Sequence, residues 1–171
     1  MPQDDRIAKL AHRIEAVKKA EHFAADADYV AALRRRGACE LHSICTEFVA
    51  LVNSKLSKAN LDLSPSVYTP EMFRESAVNL IRIGTQGREV QITFAATSKL
   101  VSAEKFLVPY ILEGEVRTYN QKMLERFEIR NQPLFFCLEE DSARWRFFDW
   151  RTRRTGGFGS ELLVDLMGRL F

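Results

Sequence analysis

Arginine and aromatic side chains crowd one stretch of this sequence. Between Pro133 and Arg154, PLFFCLEEDSARWRFFDWRTRR, fall both tryptophans, four of the twelve phenylalanines and five arginines. Arginine beside stacking rings is the chemistry of single-stranded nucleic-acid platforms, where guanidinium groups neutralise phosphate and rings stack on bases. Within Arg144–Arg154 the arginines Arg144, Arg146, Arg151, Arg153 and Arg154 stand against Asp149 alone. The competing reading pairs them with Glu125, Glu128, Glu139 and Glu140 on neighbouring strands. A nucleic-acid footprint should extend beyond one strand, so internal pairing is the preferred account.

A second anion candidate is the loop Arg153–Ser160, RRTGGFGS. Arg153, Arg154, Gly157 and Ser160 would hold a phosphate or carboxylate with guanidinium groups and the backbone N–H groups of a helix start. The loop lacks a Walker A ending and does not read GxGxxG. A plain loop closed by a serine cap is the simpler account.

Cys39-x2-His42-x2-Cys45 has the residue types of a metal site. On a straight helix, however, the two cysteines lie about 9 Å apart along the axis, too far for one zinc to reach all three side chains without distortion. Cys45 fits better as a small core residue. The three histidines, His12, His22 and His42, all lie in the N-terminal third, away from any nucleophile motif, and no GxSxG, HExxH, kinase or deaminase signature is present. Glu113 and Glu115 would share a strand face, which permits general-acid work only if that face is enclosed. No catalytic residue, metal or cofactor is assigned.

The elements that must position these groups follow from periodicity. Ile7, Leu10, Ile14 and Val17 alternate by three and four, the a/d spacing of a coiled-coil seam. Continuing it reaches Glu21 and Asp28, so the repeat is short. Two outcomes stay open for that stripe, a dimer seam or packing on its own domain. A second helical phase runs Phe23, Ala27, Val30, Leu33 after a break near Asp26. Arg34-Arg35-Arg36-Gly37 has the composition of a helix ending, with basic residues in the last turn and glycine beyond. Ala38–Leu56 resumes as an amphipathic helix with Leu41, Ile44, Cys45, Phe48, Leu51 and Val52 on one stripe, expected to pack on a sheet.

Asn60–Pro70 is a connector, and Thr69-Pro70-Glu71 predicts one helical turn over 70–75. From Ala77 the period becomes two. Val78–Ile83 and Arg88–Ala95 flank Gly84-Thr85-Gln86-Gly87 as a hairpin with a longer loop. Residues 98–105 are ambiguous. Phe106–Asn120 reads as a strand, with Gly114 at a bulge or bend, and Leu124–Ile129 alternates. Leu134–Leu138 and Arg144–Arg151 form a hairpin about a turn at Glu140-Asp141-Ser142. Thr155–Gly159 breaks the sheet, and Ser160 caps a helix striped with Leu162, Leu163, Leu166 and Leu170.

The expected fold is α+β: two N-terminal helices, an antiparallel β-meander of about five or six strands, and a C-terminal helix. The whole of 1–171 is expected to be one domain, with 1–36 as a helical extension or dimer seam. The composition is 46% hydrophobic and 28% charged with a net charge of +2, which sets disorder and a global pull toward nucleic acid aside. Three cysteines argue against a disulfide scaffold and for a reducing compartment. With no apolar leader in MPQDDRIAKL and no run of ~18 apolar residues, a cytoplasmic protein is expected.

Aromatics occur on both faces of the 134–150 hairpin, so a single helix layer would not bury them all. A terminal helix, a second subunit or a ligand should cover the other face. The expectation is therefore a non-catalytic binding or self-association domain. Its site is Phe135, Trp145, Phe148 and Trp150 with Arg146 and Arg151 at the rim, and its partner a second copy or a small apolar or amphipathic ligand. Nucleic-acid or other anion binding is the alternative, and an enzyme of unknown reaction the third.

Overall fold

A computed structural model of the chain describes residues 3–126, 130–140 and 142–171. Helix α1 (Gln3–Phe23) carries Asp4 and Asp5 in its first turn, where negative charge favours the helix dipole. The chain breaks at Asp26, whose carboxylate accepts a hydrogen bond from the Tyr29 backbone N at 3.0 Å and caps helix α2 (Ala27–Asn53). This helix does not end at Gly37. It continues for four more turns and buries Val30, Leu33, Ala38, Leu41, Cys45 and Phe48. Gly37 serves packing: a Cβ there would lie 2.6 Å from the ring of Phe136. Local chemistry suggested a cap, but close approach of helix and sheet demanded the same residue. The stripe also stops short, with Leu51 exposed and the helix closing at Asn53.

The side-chain amide of Asn53 clamps the next segment, accepting from Leu61 N at 2.8 Å and donating to Leu61 O at 3.0 Å. His42 donates from Nε2 to the Pro65 carbonyl at 2.7 Å and stacks on Tyr68. A 3₁₀ turn at Pro70–Met72 follows Thr69, shorter than the expected helical turn.

Seven strands then pair antiparallel in strict sequence order: β1 (Asp62–Ser64), β2 (Asn79–Thr85), β3 (Arg88–Ala96), β4 (Tyr110–Tyr119), β5 (Arg130–Leu138), β6 (Ala143–Asp149) and β7 (Arg154–Gly157). The meander is as expected but longer by at least one strand. The β2–β3 loop is only Gln86-Gly87, both with positive φ (51° and 76°), the signature of a tight type I′ hairpin whose twist suits the strands. The register shift in β4 falls at Tyr110/Leu112 rather than at Gly114. Gly114 answers a different need, since a Cβ there would lie 2.1 Å from the Thr93 carbonyl oxygen.

Two further corrections concern the second half of the chain. Residues Gln121–Glu125 form a short helix, α3, because Asn120 caps it by accepting from Met123 N at 2.9 Å; the alternation read at Phe127–Ile129 lies outside the described residues. Thr155-Gly156-Gly157 does not break the sheet but pairs with β6 as the edge strand β7. Helix α4 (Ser160–Gly168) follows, with Gly159 rather than Ser160 at the N-cap position.

One core unites the helices and one face of the sheet. Leu41, Cys45 and Phe48 of α2 join Leu163, Leu166 and Met167 of α4 over Ile92, Phe94, Val116, Leu134, Phe136 and Trp145. Helix α1 contributes only Ala16 and Ala20 to burial. Its a/d stripe is largely open to water: Ile7, Leu10, Ile14 and Val17 are between 49% and 59% exposed. Among the described residues no helix is long and apolar enough to cross a membrane.

Candidate binding site on the outer face of the sheet

Alternation sends every second strand residue away from the helices, and the outer face so formed is split by chemistry. One end is polar: Gln91 Nε2 donates to Glu89 at 2.7 Å and to the Tyr119 hydroxyl at 2.6 Å, and that hydroxyl donates to Glu89 at 3.1 Å. Burial first, and the Glu89 carboxylate second, push the Tyr119 hydroxyl above its ordinary range. The other end is aromatic, with Tyr110, Phe135 and Cys137 buried together and Phe148 beside them.

The cover over that aromatic end is the chain's own segment 97–109, which takes in the ambiguous residues 98–105 and also Phe106–Pro109, expected as strand although β4 begins only at Tyr110. Ser102 and Tyr110 exchange backbone hydrogen bonds at 2.9 and 2.8 Å, and Leu138 N donates to Pro109 O at 2.7 Å. Phe106 stacks on Phe135 at 5.0 Å and meets Phe148 edge-on at 6.4 Å, both favourable ring arrangements. Lys105 N donates to the Tyr110 hydroxyl at 3.1 Å. Neither a terminal helix nor a second subunit is needed at this end.

What holds the strap in place is Arg34, which composition marked as a helix-ending residue. It is 5% exposed, and its guanidinium donates to Ile111 O at 3.1 Å, Thr97 Oγ1 at 3.1 Å and Leu100 O at 2.9 Å while pairing with Glu75. A buried charge is tolerated only when its donors are used, and here they organise the backbone where the strap leaves β3.

The strap leaves part of the outer face open. A groove of about 520 Å³ remains, with Phe135, Phe148 and Pro133 in its lining, Val78 and Trp150 at its sides, and Lys105, Glu113 and Glu115 as its charged groups. Val78 is 63% and Trp150 69% exposed. Lys105 binds Glu113 at 3.0 Å, and this hydrogen bond raises the lysine's pKa; Glu115 pairs with Arg117. The two carboxylates share a face as expected, but that face is open and each is already paired.

Of the expected site residues, the groove gathers Phe135, Phe148 and Trp150. Trp145 points the other way; it is 1% exposed and belongs to the core. Arg146 sits on the outer face but binds Glu139 at 2.9 Å, as Arg144 does at 3.0 Å, so both are internally paired, although the buried Nε of Arg146 has no hydrogen-bond partner among the described residues. Glu140 instead meets Lys19. Arg151 lies in the β6–β7 turn and lines a different cleft. The expected anion set is dispersed along an edge: Arg153 takes a positive φ in the turn, Arg154 starts β7, Gly157 pairs with Arg146, and Ser160 begins α4. Val78, Lys105, Phe106 and Pro133 were not foreseen; a lone phenylalanine ahead of Pro109 was the one sequence hint of the strap.

The cysteines are held as thiols. Burial pushes Cys45 and Cys137 up to about 12, and burial together with Glu71 raises Cys39. None supplies a thiolate near neutral pH. Among the described residues no three His, Cys, Asp or Glu side chains are grouped to hold a metal ion.

Comparison with known proteins found no matching protein-family model, no similar curated protein and no similar solved structure.

Proposed function

We propose that this chain is a non-catalytic binding domain whose occupant, an apolar or amphipathic ligand or segment, lies in the outer-face groove. The observation that carries this reading is the convergence of Phe135, Phe148, Trp150 and Val78 about one open groove. Contiguous exposed apolar surface of this kind marks interaction sites. The paired Glu113 and Glu115 leave the groove nearly neutral, so the occupant is selected by apolar contact more than by charge. Three free cysteines suit a reducing compartment, and we place the protein in the cytoplasm on that ground.

A neutral apolar dye such as Nile red tests the groove. Saturable binding that is lost in Val78→Asp and Phe148→Asp, with the fold intact by circular dichroism, supports the reading. Absence of saturable binding, or binding indifferent to both substitutions, sinks it.

A second reading, self-association, is favoured by the exposed stripe on α1. Two heptads of a/d residues open to water ask for a helical partner, and a second copy offers the same stripe.

A further inference from the structure

The core face of the sheet is left open at one end of α4. A cleft of about 360 Å³ lies between Val116 and Thr118 of β4, Leu166 and Arg169 of α4, and the β6–β7 turn. Three arginines from three separate elements line it: Arg130 at the start of β5, Arg151 in the turn, and Arg169 at the C-cap of α4. Among the described residues none of the three has an ion-pair partner, which leaves their charge available to a ligand. A helix C-terminus favours one cation, which accounts for Arg169 but not for the other two.

The cleft's single carboxylate, Asp149, is engaged by its own turn. It accepts from Arg151 N at 3.0 Å and Thr152 N at 3.3 Å, and the side chain of Thr152, then these backbone donors and the Arg151 charge, keep its carboxyl below the usual range. Three guanidinium groups less this carboxylate leave a local charge of +2. Trp150 also lines the cleft, and Val116 and Leu166 give it an apolar wall.

We infer that this cleft binds a small organic phosphate, with a dianionic phosphoryl group held by Arg130, Arg151 and Arg169 and a planar body laid against Trp150. The local charge matches a phosphate monoester better than a carboxylate, and the guanidinium fork suits phosphate oxygens. The volume is that of a small-molecule site. Three like charges offset by one carboxylate still repel one another, and a bound dianion removes that repulsion. The cleft shares Trp150 with the outer-face groove, but its three arginines lie outside that groove, and the inference does not rest on the proposed function.

The two tryptophans provide the test. In the full chain the indole N–H resonance of Trp145, bonded to a backbone carbonyl within the core, reports the fold, while that of Trp150 reports occupancy of the cleft or of the adjoining groove, which Arg130→Gln/Arg169→Gln and Val78→Asp tell apart. Phenyl phosphate should shift the Trp150 resonance saturably, leave Trp145 in place, and bind less tightly at high salt. In Arg130→Gln/Arg169→Gln the affinity should fall by about tenfold or more, the loss of charge-assisted hydrogen bonds. Benzoate and inorganic phosphate should each bind about tenfold more weakly, lacking the second charge or the ring. No Trp150 shift at millimolar phenyl phosphate overturns the inference, as does undiminished binding to the double variant with Trp145 unshifted. Equal binding of benzoate removes the phosphate assignment. Tighter binding of an oligothymidylate without terminal phosphate removes the small ligand in favour of nucleic acid, and Val78→Asp should leave phenyl phosphate binding unchanged.

Discussion

The indole Nε1 of Trp145 donates to the backbone carbonyl of Gly37 at 2.7 Å, joining β6 to the middle of α2 across 108 residues of sequence. The same glycine receives the edge of Phe136, whose ring packs against Trp145 at 5.4 Å. Helix and sheet therefore meet at a point where no side chain fits. Gly37→Ala should destabilise the protein by about 1–3 kcal/mol through overpacking, although alanine is the better helix former by about 1 kcal/mol. Urea unfolding measures this; unchanged or increased stability would show that the helix does not approach the sheet so closely.

Arg34 is a structural charge. Arg34→Gln leaves the carbonyls of Leu100 and Thr97 without the Arg34 donor, while Ile111 O keeps Thr97 N and Oγ1, and each dry acceptor costs about 1–3 kcal/mol. The loss should far exceed the ~0.5 kcal/mol typical of a surface substitution. Hydrogen exchange should speed up first in residues 97–109, before the core strands respond.

The strap seals Cys137. In the native protein a thiol reagent at mild pH should modify Cys39, the half-exposed cysteine, ahead of Cys45 and Cys137. Phe106→Ala removes the ring that stacks on Phe135 and should raise the labelling rate of Cys137 while leaving Cys45 protected. Mass spectrometry of labelled peptides decides it.

Alkaline pH should weaken the fold through its buried thiols. Cys45 and Cys137 have folded values near 12 against an ordinary 9.0. The raised folded value means that the stability they contribute is fully present below about pH 9 and is lost as pH rises toward 12. A Cys45→Ala/Cys137→Ala variant, even if less stable at neutral pH, should show a flatter decline over that interval. An equally steep decline would assign the alkaline loss to other groups.

Self-association along α1 should strengthen with salt. In the heptad frame of Ile7, Leu10, Ile14 and Val17, the flanking residues Arg6, Arg13 and Lys18 outweigh Asp4, so two such helices repel until the charges are screened. Sedimentation should show a larger mass at high salt and a monomer in Leu10→Glu/Ile14→Glu. Both positions are exposed, so that variant should unfold within about 0.5 kcal/mol of the wild type.

Periodicity made the meander and the buried stripe of α2 legible, because Leu41, Cys45 and Phe48 or Leu134, Phe136 and Leu138 repeat at the spacing their element imposes. The break at Asp26 was legible for the same local reason. Gly37 was not, since a glycine after three arginines looks like a helix end until Phe136 and Trp145 are brought to it from β5 and β6. Glycines hid β7 likewise: Gly156 faces the ring of Phe147, where a Cβ would come within 3.0 Å, so small residues that suggest a break are what lets this edge strand pair. On the outer face, Phe135, Phe148 and Trp150 were readable from alternation, but the strap over the two phenylalanines was not, because its order comes from Arg34 and Tyr110 rather than from its own pattern. The cleft arginines could not be grouped in advance either, as Arg130, Arg151 and Arg169 converge only once the sheet and α4 are assembled.

Strict sequence order leaves β1 and β7 as the two margins of the sheet. They are three and four residues long, the first followed by Pro65 and the second containing two glycines. Short margins offer few free N–H and C=O groups to an incoming chain, and proline removes one more donor. Growth of the sheet by an added strand from another molecule is thereby discouraged. Concentrated solutions should therefore resist conversion to fibrils built by strand-on-strand addition.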